Sequence, residues 1–339
     1  MGKTTFLSSL LEIDLKAAAA ANGIADSHDG IQSHGHHPYH QPANQAEIDA
    51  ADKAKAISID VISIDKEFYG AKVALRLLDV ENFGDNITNE DSFRVLLSYI
   101  EEQFKAVLEE EQRIRRNPKF EDNRVHALLY FIAPTGHGLH ALDIEAMRVL
   151  GRRVNVIPVL AKADGYAEDE LARMKAAVLE QIRANQISIF DFSAAAASAN
   201  GSASSSGCTD PSADASPTTP GSTMAYLTYG RSNSSATSPR DVAMEAENDA
   251  EWMALGEKMQ ALVPFAVIGS DPMFIHPGHQ QQGQPGRQYP WGFVPANDDS
   301  ISDLSSLRMA LLGSHLEEMR DRTEDVLYEA YRTEVLSKA

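Results

Sequence analysis

The chain has 339 residues, with 30 Lys and Arg against 49 Asp and Glu, a net charge of −19. That acid excess argues against non-specific nucleic-acid binding, which needs a basic field to displace counterions from phosphate, so no nucleic-acid partner is expected. A single cysteine, Cys208, excludes an intrachain disulfide framework and a Cys-based zinc cage, and no apolar run reaches the ~18 residues of a membrane-spanning helix.

Residues 2–16 open on Gly2-Lys3-Thr4-Thr5, after which Phe6, Leu7, Leu10, Leu11 and Leu15 recur at helical spacing. The segment 17–56 is rich in Ala, Gly, His, Asn and Asp and reads as a disordered linker. Its histidines, among them His28, His34, His36, His37 and His40, are expected in a mobile loop rather than in a specific metal site. Ile57, Ile59, Val61 and Ile64 nearly alternate as a strand, and residues 73–80 form a second. A long amphipathic helix over 89–116 follows, with Phe93, Leu96, Ile100, Phe104 and Leu108 on its apolar face. The continuous apolar runs 125–134 and 154–162 suit parallel strands buried on both faces, each followed by a helix, at 141–150 and 166–185.

A short strand is predicted over 187–192, then a low-complexity Ser/Ala/Pro-rich insertion over 193–250. A helix over 251–262 and a strand over 263–269 come next. From Ile301 to Leu336 apolar residues return every three or four positions, predicting one long terminal helix or two with a bend. Its stripe of Leu304, Leu311, Met319 and Val326 reads as longer than one core requires. Strands alternating with helices predict an α/β fold with a mostly parallel sheet and helices on both faces. Outside the two insertions roughly 240 residues remain, enough for one large domain.

Two segments carry the chemistry. Gly2-Lys3-Thr4-Thr5 is the back half of a phosphate-binding loop: glycine lets the backbone approach phosphate, lysine neutralises its oxygens, and a hydroxyl holds Mg²⁺. The following helix offers free N–H groups to the anion. The front half of that motif, and the strand that should precede it, are not in the sequence. Ala161-Lys162-Ala163-Asp164 leaves a buried strand at its carboxyl end, where open α/β sheets bind ligands. A carboxylate there can accept from guanine N1–H and N2–H₂, a pair that adenine does not offer. On residue type alone, the alternative reading of Lys162 and Asp164 is an exposed loop pair.

Taken in order, these pieces resemble the septin family of guanine-nucleotide-binding filament proteins, and fungal septins most. The resemblance rests on GKTTF (2–6), FGD (83–85), RVHALLYFIAPTGHGL (124–139), VNVIPVLAKAD (154–164), VPFAVIGS (263–270), GRQYPWG (286–292) and LYEAYRTEVLS (327–337). It implies a P-loop GTPase-like domain over 1–339 lacking its first central strand, with a septin-type hairpin and terminal helix over 286–339. It also implies nucleotide contacts at Gly2, Lys3, Thr4, Thr5, Asp79, Ala161, Lys162, Ala163, Asp164, Gly269 and Arg287. The implied cofactor is GTP or GDP, with Mg²⁺ on Thr4 when GTP is bound. His137 and Trp291 are implied at a nucleotide-side contact between subunits; a loop histidine and a core tryptophan are the alternatives.

The resemblance further implies other septins as partners in hetero-oligomers and filaments. It implies a cytoplasmic, cytoskeletal location at the cell cortex, bud neck or septum. Membrane association is expected only through a segment upstream of Met1 or through partners. Two departures argue against turnover. Asn82 stands where the family has a glycine facing the γ-phosphate, with Glu81 beside it, and no threonine occurs between Thr5 and Thr88 to serve the first switch. A turning-over switch and a nucleotide-free scaffold remain the competing readings.

Overall fold

The computed structural model describes residues 3–12, 31–37, 57–68, 71–84, 90–115, 117–193, 239–270 and 285–338. The elements are α1 (Lys3–Leu11), β1 (Ile31–His37), β2 (Ser58–Phe68), β3 (Ala71–Glu81), α2 (Glu90–Glu111), β4 (Ala127–Ile132), α3 (Ala141–Leu150), β5 (Asn155–Ala161), α4 (Glu168–Ala184), α5 (Pro239–Leu262) and β6 (Phe265–Val267). The C-terminal part adds β7 (Gly286–Tyr289), β8 (Gly292–Pro295), α6 (Leu304–Met309), α7 (Leu316–Arg322) and α8 (Glu329–Lys338).

β4, β5 and β6 form a parallel sheet in that order, with Ala127 opposite Asn155 and Val159 opposite Phe265. β5 is the central strand and every residue of it is buried, as its continuous apolar run predicts. Its side chains alternate between two cores. Val156 and Leu160 join Phe104 of α2, Met147 of α3 and Val178 of α4. Ile157 and Val159 join Phe6 of α1, Met259 of α5 and Leu307 of α6. The expected α/β layering, with helices on both faces, is therefore present. β1, β2 and β3 form a separate antiparallel sheet. Among the described residues no ladder joins β3 to β4.

Four local expectations need correction. Residues 31–37, inside the span expected as linker, form β1, which pairs with β2 from Ile31 opposite Ile64 to His37 opposite Ile59. His34, His36 and His37 thus lie on a strand; His28 and His40 fall outside the described residues. No strand forms over 187–192. Phe190 gives one backbone bond to Val156 O at 2.9 Å, while the next stretch of the β5 edge is taken by β6. The segment is instead held by burial of Ile187, Phe190 and Phe192. α5 starts at Pro239 rather than at 251, so the inserted span is shorter than 193–250. Pro239 stands at the first helical position, where its missing N–H costs nothing.

The fourth correction concerns the terminal stripe. Leu304, Leu311 and Met319 are buried in the subunit's own core and only Val326 is exposed, at 56 %. The C-terminal run is helical with two wide-turn π segments, at 310–314 and 323–328, and a break at His315. Extra residues in such turns rotate the helix face, which keeps the stripe turned inward beyond one α-helical repeat. Asn155 at the foot of β5 supports this path, its amide donating to His126 O at 2.7 Å, Met319 O at 3.0 Å and Thr323 Oγ1 at 3.1 Å.

Candidate nucleotide site

β4, β5 and β6 end at Ile132, Ala161 and Val267, and His137, Lys162, Asp164 and Gly269 follow these carboxyl ends in the chain. After β5, Ala161 and Ala163 are buried and Lys162 between them is exposed. Lys162 adopts a left-handed backbone, φ 58°, rare for a residue with a side chain and frequent at functional turns. A single turn over 163–165 then directs Asp164 inward.

The Asp164 side chain is only 4 % exposed. Its Oδ2 accepts from Tyr289 OH and from Arg287 Nη1, the latter at 3.3 Å. Its Oδ1 is buried without a hydrogen-bond partner. A buried carboxylate oxygen left unpaired is costly, and such an oxygen beside a second acceptor matches the two adjacent donors of guanine. Tyr166, just beyond, has its hydroxyl pushed up in pKa by burial and then by Glu170.

Arg287 and Tyr289 come from the β7–β8 hairpin, and because side chains two apart on a strand share a face, both reach the same carboxylate. A Cβ on Gly286 would strike the Val294 carbonyl across the hairpin, so this position requires glycine. Gly286 N–H donates to Ser270 Oγ at 2.8 Å, and Ser270 Oγ donates to Gly286 O at 3.1 Å. Ser270 N–H in turn donates to Ser9 Oγ of α1 at 2.7 Å. The neighbouring Gly269 approaches α1 so closely that a Cβ there would lie 3.4 Å from Thr5 Cγ2.

α1 is nine residues long, too short to be stable unaided. Its C-terminal carbonyls are held from outside. Arg308 of α6 donates to Leu10 O and Ser9 O, each at 2.7 Å, and Lys66 of β2 donates to Leu11 O at 2.6 Å. Cations there also oppose the helix dipole. Glu12, φ 54°, ends the helix, short of the 2–16 span predicted. The effect is to fix the N-terminal end of α1, where Lys3 is half-buried and Thr5 faces Gly269. Gly2 and the Thr4 side chain fall outside the described residues.

The structure therefore brings together Thr5, Asp164, Gly269 and Arg287. Asp79 is buried near the end of β3, opposite Asp60. Asn82 takes φ 59°, so the turn keeps a glycine-like backbone although the residue is not glycine. His137 is exposed on the loop after β4 and takes no part in the contacts that join the others. That loop is tied down by Leu139 N–H to Gln181 Oε1 at 2.6 Å and by Tyr130 OH to Asp143 Oδ1 at 2.8 Å. Trp291 is 72 % exposed and stacks on Tyr289 with centroids 4.8 Å apart and planes 6° apart, so it is not a core residue. Sequence reasoning missed Tyr289, Ser270 and Ser9. The i, i+2 spacing from Arg287 was the available signal for the tyrosine. Among the described residues no group of three or more His, Cys, Asp or Glu is placed to hold a metal.

The septin family model matches residues 1–208 and 238–339. Septin homolog spn3 of Schizosaccharomyces pombe is 35 % identical over 293 residues, covering 86 % of this chain and 65 % of that protein. Cell division control protein 11 of Saccharomyces cerevisiae is 36 % identical over 268 residues, covering 79 % of this chain and 52 % of that protein. The chain thus spans between about half and two thirds of the length of these relatives. The septin GTPase domain of Chlamydomonas reinhardtii shares the fold, with a TM-score of 0.53 and 24 % identity across 98 % of this chain and 94 % of that one.

Proposed function

The chain belongs to the septin family, and from that premise we propose that it is a filament subunit that binds GTP or GDP as an interface cofactor rather than as a substrate. In this reading it polymerises with other septins at the cell cortex, bud neck or septum and serves cytokinesis, septation and morphogenesis. The observation that carries the nucleotide part is the Asp164 carboxylate, almost fully buried, with one oxygen unpartnered and the other held by two donors of the hairpin.

Each residue then has a task. Asp164 accepts from guanine N1–H and N2–H₂. Lys162 covers the base with its aliphatic stem, and Gly269 and Arg287 close over it. Lys3, Thr5 and the N-terminal N–H groups of α1 meet the phosphates, with Gly2 and Thr4 completing the loop and Thr4 holding Mg²⁺ when GTP is bound. Asp79 stands on the phosphate side. Hydrolysis is very slow or absent, because Asn82 stands in place of the glycine that faces the γ-phosphate, with the charge of Glu81 beside it. His137 and Trp291 lie at the nucleotide-side contact with the next subunit.

Base recognition is tested by titrating the purified protein with GDP, ADP and xanthosine diphosphate. GDP should bind and ADP should not. Asp164→Asn should lose GDP and gain xanthosine diphosphate, because the asparagine amide can donate to the carbonyl that replaces the guanine amino group. Equal affinity for GDP and ADP, or an unchanged preference in Asp164→Asn, would refute the assignment.

A further inference from the structure

Resting on the nucleotide reading above, we infer that Tyr289 is a built-in competitor of the guanine base, its hydroxyl occupying the Asp164 oxygen that the base must take.

The geometry is specific to one atom. Asp164 Oδ2 receives both Tyr289 OH and Arg287 Nη1, while Oδ1 receives nothing. Guanine presents two donors side by side and needs both oxygens, and Oδ2 already carries two donors, so the base competes with the Tyr289 hydroxyl for that oxygen. A hydroxyl donating to a buried carboxylate is a strong bond to displace. Arg287 does not create the same conflict, because its guanidinium has five donors and can stack on a base after leaving the carboxylate. A phenol that leaves Oδ2 gives up its charged partner.

Tyr289 is also coupled to the surface. Its ring lies flat against Trp291, which is mostly exposed and sits in the turn that the Tyr289–Gly292 pair of the β7–β8 hairpin closes. The base of the hairpin is fixed by Gly286 on Ser270, so a displacement on release of Tyr289 falls on the tip, away from that anchor. Release of Tyr289 from Asp164 must therefore move the Tyr289–Trp291 stack. Tyr289 sets nucleotide affinity from inside the site, and Trp291 reports its position.

The test uses Trp291 as reporter in a Trp252→Phe background, since the chain has 2 tryptophans. In protein dialysed free of nucleotide, Asp164→Ala and Tyr289→Phe should each raise acrylamide quenching of Trp291, and saturating GDP should do so in the parent. Tyr289→Phe keeps the ring stack and removes only the hydroxyl, so it should bind GDP about tenfold more tightly than the parent. Unchanged quenching in both ligand-free variants would show that no tether exists. GDP affinity in Tyr289→Phe equal to or weaker than the parent would show that Tyr289 does not compete. Quenching changes with no GDP bound by any variant would instead overturn the nucleotide reading, and the competitor role with it.

Discussion

Acid should weaken this protein in part through a buried histidine in its terminal helical run. His315 is 0 % exposed and meets Phe192 edge-on with centroids 5.2 Å apart. Its Nδ1 lies 2.7 Å from Ser314 Oγ, and its Nε2 has no partner. Burial lowers its pKa from 6.5 to about 4, because the charged ring would lose its hydration there. The fold thus prefers the neutral ring, and the unfolded chain binds the extra proton. Stability is complete above about pH 6.5 and is lost as pH falls through that value toward 4.

At about 1.4 kcal/mol per pKa unit the full effect is about 3 kcal/mol, of which about 2 kcal/mol is gone by pH 5. Urea unfolding of the parent and of His315→Leu, followed by far-UV circular dichroism between about pH 7.5 and pH 5, measures it. Leucine packs against Phe192 but does not titrate, and Ser314, half-exposed and already reaching Met309 O, keeps a hydrogen bond. The variant's stability should fall by about 2 kcal/mol less than the parent's across this range. Parallel curves would show that His315 is charged or hydrated in the fold, and the reasoning would fail.

Other outcomes follow from the same geometry. Trp291→Ala should keep the parent melting temperature to within about 2 °C, since a mostly exposed side chain contributes little to the fold, yet should block assembly with co-expressed septins by electron microscopy. Normal filaments from that variant would remove Trp291 from the interface. Phosphate release from GTP should not exceed a protein-free blank over many hours, and turnover that disappears in Lys3→Ala would contradict the role given to Asn82 and Glu81. Deleting 209–237, the stretch that the family match passes over, should shift melting by no more than about 3 °C, because its composition offers little apolar surface to offset ordering. A loss of ten degrees or more would show that it packs.

The strands and helices of the parallel sheet were legible because their signal is local. VNVIPVLA announces a strand buried on both faces, and the apolar spacing of 141–150 and 89–116 announces helices with one buried face. The failures occur where local pattern and tertiary pairing disagree. Ile31–His37 carries almost no apolar alternation, and it is a strand because β2 offers an edge. Ile187–Phe192 has a strand's composition, but β6 takes most of the β5 edge beside it. The terminal stripe looked surplus because an α-helical repeat was assumed, and the π segments at 310–314 and 323–328 change the phase. At the site, Asp164 was legible from its position after a buried strand, whereas Ser9, Ser270 and Tyr289 matter through partners up to 261 residues away in sequence, which no local window contains.

Those distant partners explain why the C-terminal element cannot be an appendage to a finished α/β domain. α1, which opens on Lys3-Thr4-Thr5, is held at its far end by Arg308, and its Ser9 is tied through Ser270 to the hairpin. Asp303, just before α6, accepts Ala266 N–H at 2.8 Å and Lys175 Nζ at 2.7 Å, fixing β6 against α4. Leu304, Leu307 and Met319 fill one core, and Leu327 and Tyr328 fill the other. The segments that carry the family's distinctive sequence therefore set the position of α1 and supply the donors on Asp164. A nucleotide that displaces Tyr289 would act on a hairpin whose base is bonded to α1 and whose tip carries the exposed Trp291. Base recognition and the outer surface are then two ends of one short lever. This is the arrangement required if nucleotide serves assembly rather than turnover.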